Sequence, residues 1–271
     1  HREKLLGDQA GLLGNYLHAF LLTELSPFRQ VAEEIVKSLN ARFFDHASGA
    51  FFGCEDHLRG ERTGKQGTED GLPGWFTITD HCIYTDSNAK TISAYLDAWW
   101  ILGMHSCRER ALEALDFLWG HCRSPTGGMY HYFDGQPHVP GLLRDDTVMG
   151  EALLDTYRAT GEPHCLEWAR ELAEGILHDY VNPSGGFYDI IKPGPANLRF
   201  RLTTLDDNGA TAAFLARLDA MAADEKRFRE GASWALQPFA ENFRQYGVSS
   251  AGYGHGLAQF LSPPLSVTLE G

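Results

Sequence analysis

The chain has 271 residues, of which 43% are apolar and 12% aromatic, so it can bury a sizeable core and is too apolar for a disordered protein. Its 36 acidic residues outnumber 23 basic ones, and the formal charge of -13 disfavours nucleic acid and anionic membrane surfaces as partners. The longest apolar run, 92–104, is broken by Asp97 and is shorter than the ~20 residues that cross a bilayer.

The five cysteines indicate a reducing compartment. Their number is odd and no C-x-x-C pair occurs, so we expect a cytoplasmic protein without a disulfide framework. The chain begins at His1, with no initiator Met and no signal peptide, and a helical pattern follows almost at once. We interpret the chain as a fragment of a longer protein.

Two kinds of predicted helix alternate along the chain. The first kind, which we call inner, is apolar on nearly every side, as in the run 92–100, and such helices are buried on more than one face. The second kind, which we call outer, is apolar at every third or fourth position only. Inner helices begin near Asp8, Ser87, Asp145, Asp206 and Tyr253, and outer helices occupy 27–43, 109–122, 163–180 and 225–243, with a kink expected at Pro238.

A glycine turn followed by large apolar residues comes after each outer helix. The turns are 48–52, 126–130, 184–188 and a weaker fourth at 250–253, and their glycines permit positive φ. After the first step the repeat length is ~50–60 residues, which is long for a helical hairpin. The extra length lies after the turns, most of it in a polar stretch, 54–86, expected to be functional or mobile.

This order predicts an all-α protein with the fold of an α/α toroid of the six-hairpin glycosidase type, incomplete in this chain. Short β-turn or hairpin segments are expected at its mouth, and an open α-solenoid is the alternative. The toroid helix pairs would occupy residues 1–264. Residues 265–271 would start a C-terminal strand or tail.

Carboxylates distant in sequence are predicted to meet at the mouth. Because the helices of each pair are antiparallel, every inner helix begins at the same end of the fold. Three of these helices carry an acid in the first turn, namely Asp8, Asp145 and Asp206. Each Asp could instead cap its helix or interact with the helix dipole. The doubled acids weaken that alternative, because one cap needs one side chain, so Asp145–Asp146 and Asp206–Asp207 would each leave one carboxylate over.

Aromatic and cationic residues at the same end favour a sugar as ligand. We predict Asp8, Asp145, Asp206 and His255 as the catalytic acids and bases, because histidine titrates near neutrality. Turn residues such as Phe51, Met129 and Phe187 fit the core better than a ligand site, and a loop histidine is often only solvated. The predicted substrate-binding residues are Glu3, Trp75, Asn88, His131, Tyr132, Arg144, Asp146, Tyr188 and Arg201.

No metal or cofactor is predicted. Adjacent His–Cys pairs occur at 81–82, 121–122 and 164–165. The second ends one outer helix and the third begins the next, and parallel helices of this kind are ~22 Å long, so the two pairs cannot share an ion. Zinc spacings, phosphate loops and dinucleotide fingerprints are absent from the sequence.

Several segments resemble one known family. Residues 1–10, HREKLLGDQA, resemble the H-F-E-K-M-L-Y-D-Q-A signature of thioredoxin-domain-containing, spermatogenesis-associated proteins. Residues 143–161 are similar to that family's L-D-D-Y-A…A-L-L-x-L-Y-x-A-T-G stretch, and residues 184–188 and 265–271 also match. The positions that depart from the pattern are Arg2, Gly7, Cys82 and Ser87.

The resemblance implies a thioredoxin-like domain followed by a six-hairpin toroid related to N-acylglucosamine 2-epimerases and glycosidases. This chain would then be the middle and later part of the toroid, and the thioredoxin-like domain would be a partner in the same protein. The family's activity is not established, so the resemblance supports the fold rather than a reaction.

Three functions stay open at this point. The first is a carbohydrate-active enzyme, either an epimerase with two bases beside a carbonyl or a glycosidase with two carboxyl groups about 5–5.5 or 6.5–9.5 Å apart. The second is a non-catalytic toroid that binds a sugar, a peptide or the thioredoxin-like domain. The third, an isoprenoid-type toroid, needs a metal site or a deep apolar cavity, and the polar mouth disfavours it.

Overall fold

The computed structural model describes residues 2–59, 75–195, 199–222 and 226–262. The chain divides into two compact units, and we describe each by itself. Unit 1 comprises residues 1–122 and 132–138, and unit 2 comprises residues 123–131 and 139–271. The tail predicted at 265–271 lies outside the described residues.

Unit 1 contains two helix pairs. The first pair is α1 (Leu6–Thr23) with α2 (Ser26–Arg42), and the second is α3 (Thr85–Leu102) with α4 (His105–His121). Both connections are short because a residue with positive φ ends each inner helix: Glu24 has φ 57 and Gly103 has φ 73. The inner helices are parallel, since Gly7 lies against Ser87 near their starts and His18 contacts Asp97 near their ends.

Three strands lie within the described part of the stretch 54–86, which was expected to be a polar loop. The strands β1 (Arg2–Leu5), β2 (Cys54–Arg59) and β3 (Trp75–Asp80) form an antiparallel sheet in that order. A second sheet joins β4 (Ile83–Tyr84), β5 (Tyr130–Phe133) and β6 (Pro137–Pro140). Only short hairpins were predicted, because the polar side chains of these strands give little apolar alternation to read.

Unit 2 continues the same plan. Its helices are α5 (Leu143–Thr160), α6 (Pro163–Asp179), α7 (Leu205–Met221), α8 (Lys226–Leu236) and α9 (Ala251–Leu261). The prediction of one outer helix over 225–243 was wrong in extent: α8 ends at Leu236, and the 3-10 segment Gln237–Phe239 follows. The next stretch, Phe243–Ser250, is 3-10 in character but is interrupted by a kink at Gly247, whose φ of 55 and ψ of -129 are not helical. Pro238 explains the end of α8, because proline lacks the N–H that an α-helix needs there.

The inner helices of unit 2 also run parallel. Along α5 and α7 the hydroxyls of Thr147 and Thr211 lie 3.0 Å apart, and about two turns further on Arg217 donates to Asp155 at 2.6 Å. Along α7 and α9 the backbones of Gly209 and Gly256 approach so closely that a Cβ on Gly256 would lie 2.2 Å from the Gly209 carbonyl oxygen. Within each unit, the prediction that inner helices begin at one end is therefore confirmed.

The burial pattern separates the two kinds of helix as predicted. Outer helix α6 buries one stripe, which includes Ala169, Leu172 and Ile176, whereas inner helix α7 buries residues on nearly every side. The chain is therefore all-α in class, with helix pairs of the α/α toroid type and a few short strands. Among the described residues no helix has the length and apolar character needed to span a bilayer.

Candidate functional site

The fourth residue of three inner helices fastens a turn to the helix start. In α3, Asn88 accepts from the Phe51 N–H at 2.8 Å and donates to the Phe51 carbonyl at 2.9 Å. In α7, Asn208 makes the same two bonds to Phe187, at 2.7 and 2.9 Å. We call each such contact a turn clamp, because the clamped residue directly follows the glycine turn.

The clamp of α5 differs because its side chain is an acid. Asp146 accepts from the Met129 N–H at 2.6 Å and from the Tyr180 hydroxyl at 2.8 Å, and it is 1% exposed. Burial raises the pKa of Asp146 to about 7, although the bonds from Tyr180 and Met129 and the charge of Arg123 oppose this, and the charge of Asp145 adds to it.

Glycine is required directly before two of the clamped residues. Gly128 has φ 68 and Gly186 has φ 70, a region in which other residues are strained. A Cβ on Gly128 would also lie 2.7 Å from a carboxyl oxygen of Asp146, and one on Gly186 would lie 2.7 Å from Oδ1 of Asn208. At these two turns, the glycines seen in the sequence are therefore needed for the turn clamps to form.

The residue before Asp146 forms an acid–base pair. Asp145 is 1% exposed, and its carboxylate accepts from Nδ1 of His131 at 3.0 Å. His131 lies in β5, two residues after the clamped Met129, and its side chain is 34% exposed. A buried carboxylate thus holds a partly exposed imidazole at the start of an inner helix.

A cation joins the starts of α5 and α7. Arg144 donates to Asp206 and to Asp207, both at 2.9 Å. Burial lowers the pKa of Arg144, but the bonds and charges of the two carboxylates outweigh this effect and the net direction is upward. Asp207 is held further by the Thr204 hydroxyl, which donates to it at 2.7 Å. We refer to His131, Arg144, Asp145, Asp206 and Asp207 together as the α5 cluster.

The inner-helix carboxylates do not cap their helices. The N-cap residues are Leu5, Tyr84 and Leu142, none with a side-chain cap bond, and Thr204, whose hydroxyl accepts from the Asp207 N–H. The acids lie within the first turn instead, where they still interact favourably with the helix dipole. Each of the four acids Asp145, Asp146, Asp206 and Asp207 accepts a hydrogen bond from another residue instead.

The other predicted residues of unit 2 are placed as follows. Arg201 lies 4.0 Å above the ring of Tyr188 and donates to the Ile191 carbonyl, so one face of that ring is covered by a guanidinium. His255 lies in α9, where its side chain is exposed. A Cβ on Gly252, in the first turn of α9, would lie 2.8 Å from Oδ1 of Asp206. The start of α9 therefore lies next to the α5 cluster.

The predicted residues of unit 1 have varied environments. Glu3 and Asp8 are exposed, in β1 and in the first turn of α1. Asn88 is fully buried and its amide is bound to backbone, so it stabilises a turn and we remove it from the ligand-binding set. Tyr132 stacks on His138 at 4.9 Å. The side chain of Trp75 lies outside the described residues. The meeting of Asp8 with the unit 2 acids stays a prediction.

Sequence reasoning missed two residues of this region. Tyr180 was only the last residue of the predicted outer helix 163–180, and Asn208, although it follows Asp206 and Asp207 at the predicted mouth, was given no role. The signal for Asn208 was available, because a side chain with amide or carboxyl oxygens recurs as the fourth residue of α3, α5 and α7. For Tyr180, nothing in its helical spacing indicates that its hydroxyl reaches Asp146.

In unit 2 the His131–Asp145 pair brings an imidazole nitrogen and a carboxylate together. The chemistry available to it is proton transfer. A neutral imidazole whose Nδ1–H is directed at a carboxylate presents Nε2 as a base, and the carboxylate stabilises the imidazolium that forms.

Comparison with known proteins identifies the fold. The chain matches no protein-family model and no curated protein sequence. Among solved structures it is similar to the cellobiose 2-epimerase of Spirochaeta thermophila, with TM-score 0.70 and 18% identity over 90% of this chain and 61% of that one. It is also similar to a D-mannose isomerase, with TM-score 0.68 and 19% identity over 86% of this chain and 59% of that one.

A third similar structure is a glycoside hydrolase family 76 mannosidase of Bacteroides thetaiotaomicron, with TM-score 0.70 and 13% identity over 96% of this chain and 71% of that one. These likenesses show that the chain has the fold of the α/α toroid epimerases and glycosidases. The chain spans about three-fifths of the length of the first two structures.

Proposed function

We propose that the chain is part of a sugar-directed enzyme that moves a proton beside a carbonyl, as an epimerase or aldose–ketose isomerase does. The observation that carries the proposal is the buried Asp145 carboxylate bonded to His131 at 3.0 Å, at the start of an inner helix. Two of the structures that share the fold are named as a cellobiose 2-epimerase and a D-mannose isomerase, which supports a sugar as ligand.

The pair suits proton transfer better than glycoside cleavage. Abstraction of a proton beside a carbonyl needs a base that titrates near neutrality, and histidine is that base. Cleavage needs two carboxyl groups at a defined separation. In the α5 cluster Asp206 and Asp207 both accept from Arg144, so their charges are already neutralised in part. We assign His131 the role of base, and Asp145 orients its ring.

The remaining α5-cluster residues are proposed to bind sugar hydroxyls. Arg144 has 40% of its side chain exposed and Asp206 has 61%, so a donor and an acceptor are both accessible to a ligand. His255 is proposed as the second acid or base, because α9 starts beside Asp206. Asp8, Glu3, Tyr132, Tyr188 and Arg201 stay proposed ligand contacts, with Asp8 a further candidate acid.

A family 76-like glycosidase is the second candidate, favoured by the paired acids and by the mannosidase that shares the fold. A purely structural toroid is less favoured, since the neighbours named above are enzymes. Membership of the thioredoxin-domain-containing family, a thioredoxin-like partner domain and a cytoplasmic location remain proposals that rest on the sequence alone.

The test measures exchange of the proton at sugar C2. The 271-residue chain and its full natural protein are incubated in D2O with glucose, mannose, fructose or cellobiose. Loss of the C2 proton signal is followed by NMR, except for fructose, whose C2 is the carbonyl carbon and whose C1 proton signal is followed instead. We expect His131→Gln and Asp145→Asn to slow exchange by about 10² or more, the usual contribution of a general base.

Asp179→Asn is the matched control, because His178 and Asp179 form another His–carboxylate pair, at 2.7 Å, on the surface of the same unit. The control should exchange like the unaltered protein. Absence of exchange by a folded natural protein with any of the four sugars would rule out the epimerase proposal. Mannoside hydrolysis that is lost in Asp145→Asn, without C2 exchange, would establish the glycosidase instead.

A further inference from the structure

The His131–Asp145 pair depends on a contact that neither of its members makes. Asp145 is on α5 and His131 is on β5, so their separation is set by whatever joins the helix start to that strand. The turn clamp makes this connection: Asp146, next to Asp145 on α5, accepts from the N–H of Met129, two residues before His131. Asp145 is thus adjacent to the acceptor of this 2.6 Å hydrogen bond, and His131 is two residues from its donor.

We infer that Asp146 is a positioning residue for the His131–Asp145 pair, an assignment that rests on the proposed function of that pair. Its two carboxyl oxygens have separate tasks. One holds the segment that carries His131, and the other is anchored by the Tyr180 hydroxyl at 2.8 Å, from the end of α6. The strand, the inner helix and the outer helix are therefore joined at a single buried group.

Comparison with the other clamps supports this assignment. At the same helix position Asn88 and Asn208 fasten turns with amides, and both use their Nδ2 to donate to the clamped carbonyl. An ionised carboxyl group cannot donate, so Asp146 is the less suitable side chain for clamping alone. It is, however, the side chain that lets Tyr180 donate to the clamp, and it places a second acid beside Asp145.

The charged and titratable groups that face Asp146 come from every side. Tyr180 donates from α6, Asp145 is its neighbour on α5, and Arg123 acts from the segment before the glycine turn. Arg123 also donates to the Gly128 carbonyl at 2.7 Å and to Glu171 at 3.1 Å, so its charge is shared with α6. The protonation of Asp146 is therefore expected to influence His131 through the clamp and through Asp145.

The experiment reads the pair directly, without using the enzymatic activity. Histidine ring 15N shifts report which nitrogen of His131 carries the proton and at what pH the ring titrates. In the unaltered chain we expect the Nδ1–H tautomer. Asp146→Ala should release the strand, mix the two tautomers of His131 and move its titration midpoint, whereas Asp146→Asn, the side chain of the other clamps, should keep the Nδ1–H tautomer.

Asn208→Ala is the matched control, because it removes a clamp of the same geometry from α7 and should leave the His131 spectrum unchanged. If Asp146→Ala does not fold, Asp146→Ser replaces it. The serine side chain is polar but one bond shorter than that of Asp146, so it cannot reach the Met129 N–H, and the expected change in His131 is the same.

An unchanged His131 tautomer and midpoint in a folded Asp146→Ala or Asp146→Ser chain would overturn the inference. An equal change caused by Asn208→Ala would overturn it as well, because the effect would then be one of general stability. Failure of the C2-exchange assay would leave this result standing, since the NMR readout does not require turnover. In an active protein Asp146→Ala should lower kcat with little effect on KM, and Asp146→Asn should restore kcat.

Discussion

At the scale of single residues, one helix position shows how chemistry enters a repeated scaffold. The fourth residue is Asn in α3 and α7 and Asp in α5, and all three fasten a glycine turn. The amides satisfy both backbone groups of the clamped residue. The carboxyl group of Asp146 instead introduces a titratable site into the core, next to the proposed acid–base pair.

The buried Asp146 should make stability depend on pH. Its pKa is raised in the folded state, from 3.8 to about 7, so the folded chain binds a proton that the unfolded chain releases between these values. The free energy of unfolding should therefore fall as the pH rises from 4 to 7, by up to about 4 kcal/mol from this group. Urea titrations of the unaltered chain and of Asp146→Asn at several pH values isolate the effect.

Only the unaltered chain should show this decline, and the stability of Asp146→Asn relative to it should rise across the same range. Parallel pH profiles for the two proteins would mean that Asp146 ionises at an ordinary pKa when folded.

Arg144 is expected to contribute more to stability than an ordinary surface cation. It donates to two carboxylates, of which Asp207 has only 15% of its side chain exposed. Arg144→Met should cost about 1 kcal/mol, because it removes the cation that donates to the mostly buried carboxylate of Asp207. Arg227→Met is the comparison: its pair with Glu174 is half exposed on both sides, and such pairs contribute about 0.5 kcal/mol or less. Equal losses in the two variants would contradict this reasoning.

At the scale of elements, the close packing of inner helices depends on small residues. Gly150 lies against the Phe214 ring between α5 and α7, and Gly209 lies against the backbone of Tyr253 between α7 and α9. Gly150 makes room for a large ring between α5 and α7, whereas Gly209 lets the backbones of α7 and α9 approach each other directly. The outer helices contact the core with a single apolar stripe instead, so they tolerate polar residues on the opposite face.

Substitutions of two glycines in α9 distinguish the effect of helix packing on stability from the effect of helix propensity. Gly256→Ala would place a Cβ 2.2 Å from the backbone oxygen of Gly209, which cannot move without displacing α7. We expect a loss of about 1–3 kcal/mol, the usual cost of overpacking, and faster amide exchange in α9. Gly254→Ala meets nothing within 4 Å, so it should stabilise the chain by up to about 1 kcal/mol through helix propensity.

Urea unfolding of the two variants, with hydrogen exchange of α9, measures both effects. A Gly256→Ala chain as stable as the Gly254→Ala chain would show that α9 is not fixed against α7 as the structure has it.

At the scale of the whole molecule, the fold could be read from the sequence because it follows helical periodicity. Inner helices begin at Leu6, Thr85, Leu143, Leu205 and Ala251, each within two residues of the predicted start. The end of α8 was misplaced because Pro238 ends that helix early. The strands were not predicted in full because their formation depends on pairing between segments distant in sequence. Of the candidate site, the α5 acids were identified and the His131–Asp145 contact was not, since hydrogen-bond partners depend on tertiary placement.

The chain combines a strong negative charge with exposed leucines at one helix connection. The net charge is -13, while Leu21, Leu22 and Leu25 lie around the α1–α2 connection with 48%, 83% and 56% of their surface exposed. Exposed apolar patches of this kind mark interaction surfaces. Salt screens the charge, with a Debye length of about 30 Å at 0.01 M and about 10 Å at 0.1 M, but does not weaken apolar attraction.

We therefore expect the chain to self-associate more as salt is raised, because repulsion between copies weakens while the leucine contact persists. Sedimentation velocity at salt concentrations from about 0.01 to 0.1 M measures the extent of self-association. The Debye length shortens about threefold over this range. Leu22→Gln with Leu25→Gln should keep the chain monomeric without changing its charge. Val248→Gln, at an exposed apolar residue far along the chain, should behave like the unaltered protein. Association that falls with salt would mean that charge, not the leucine patch, holds the copies together.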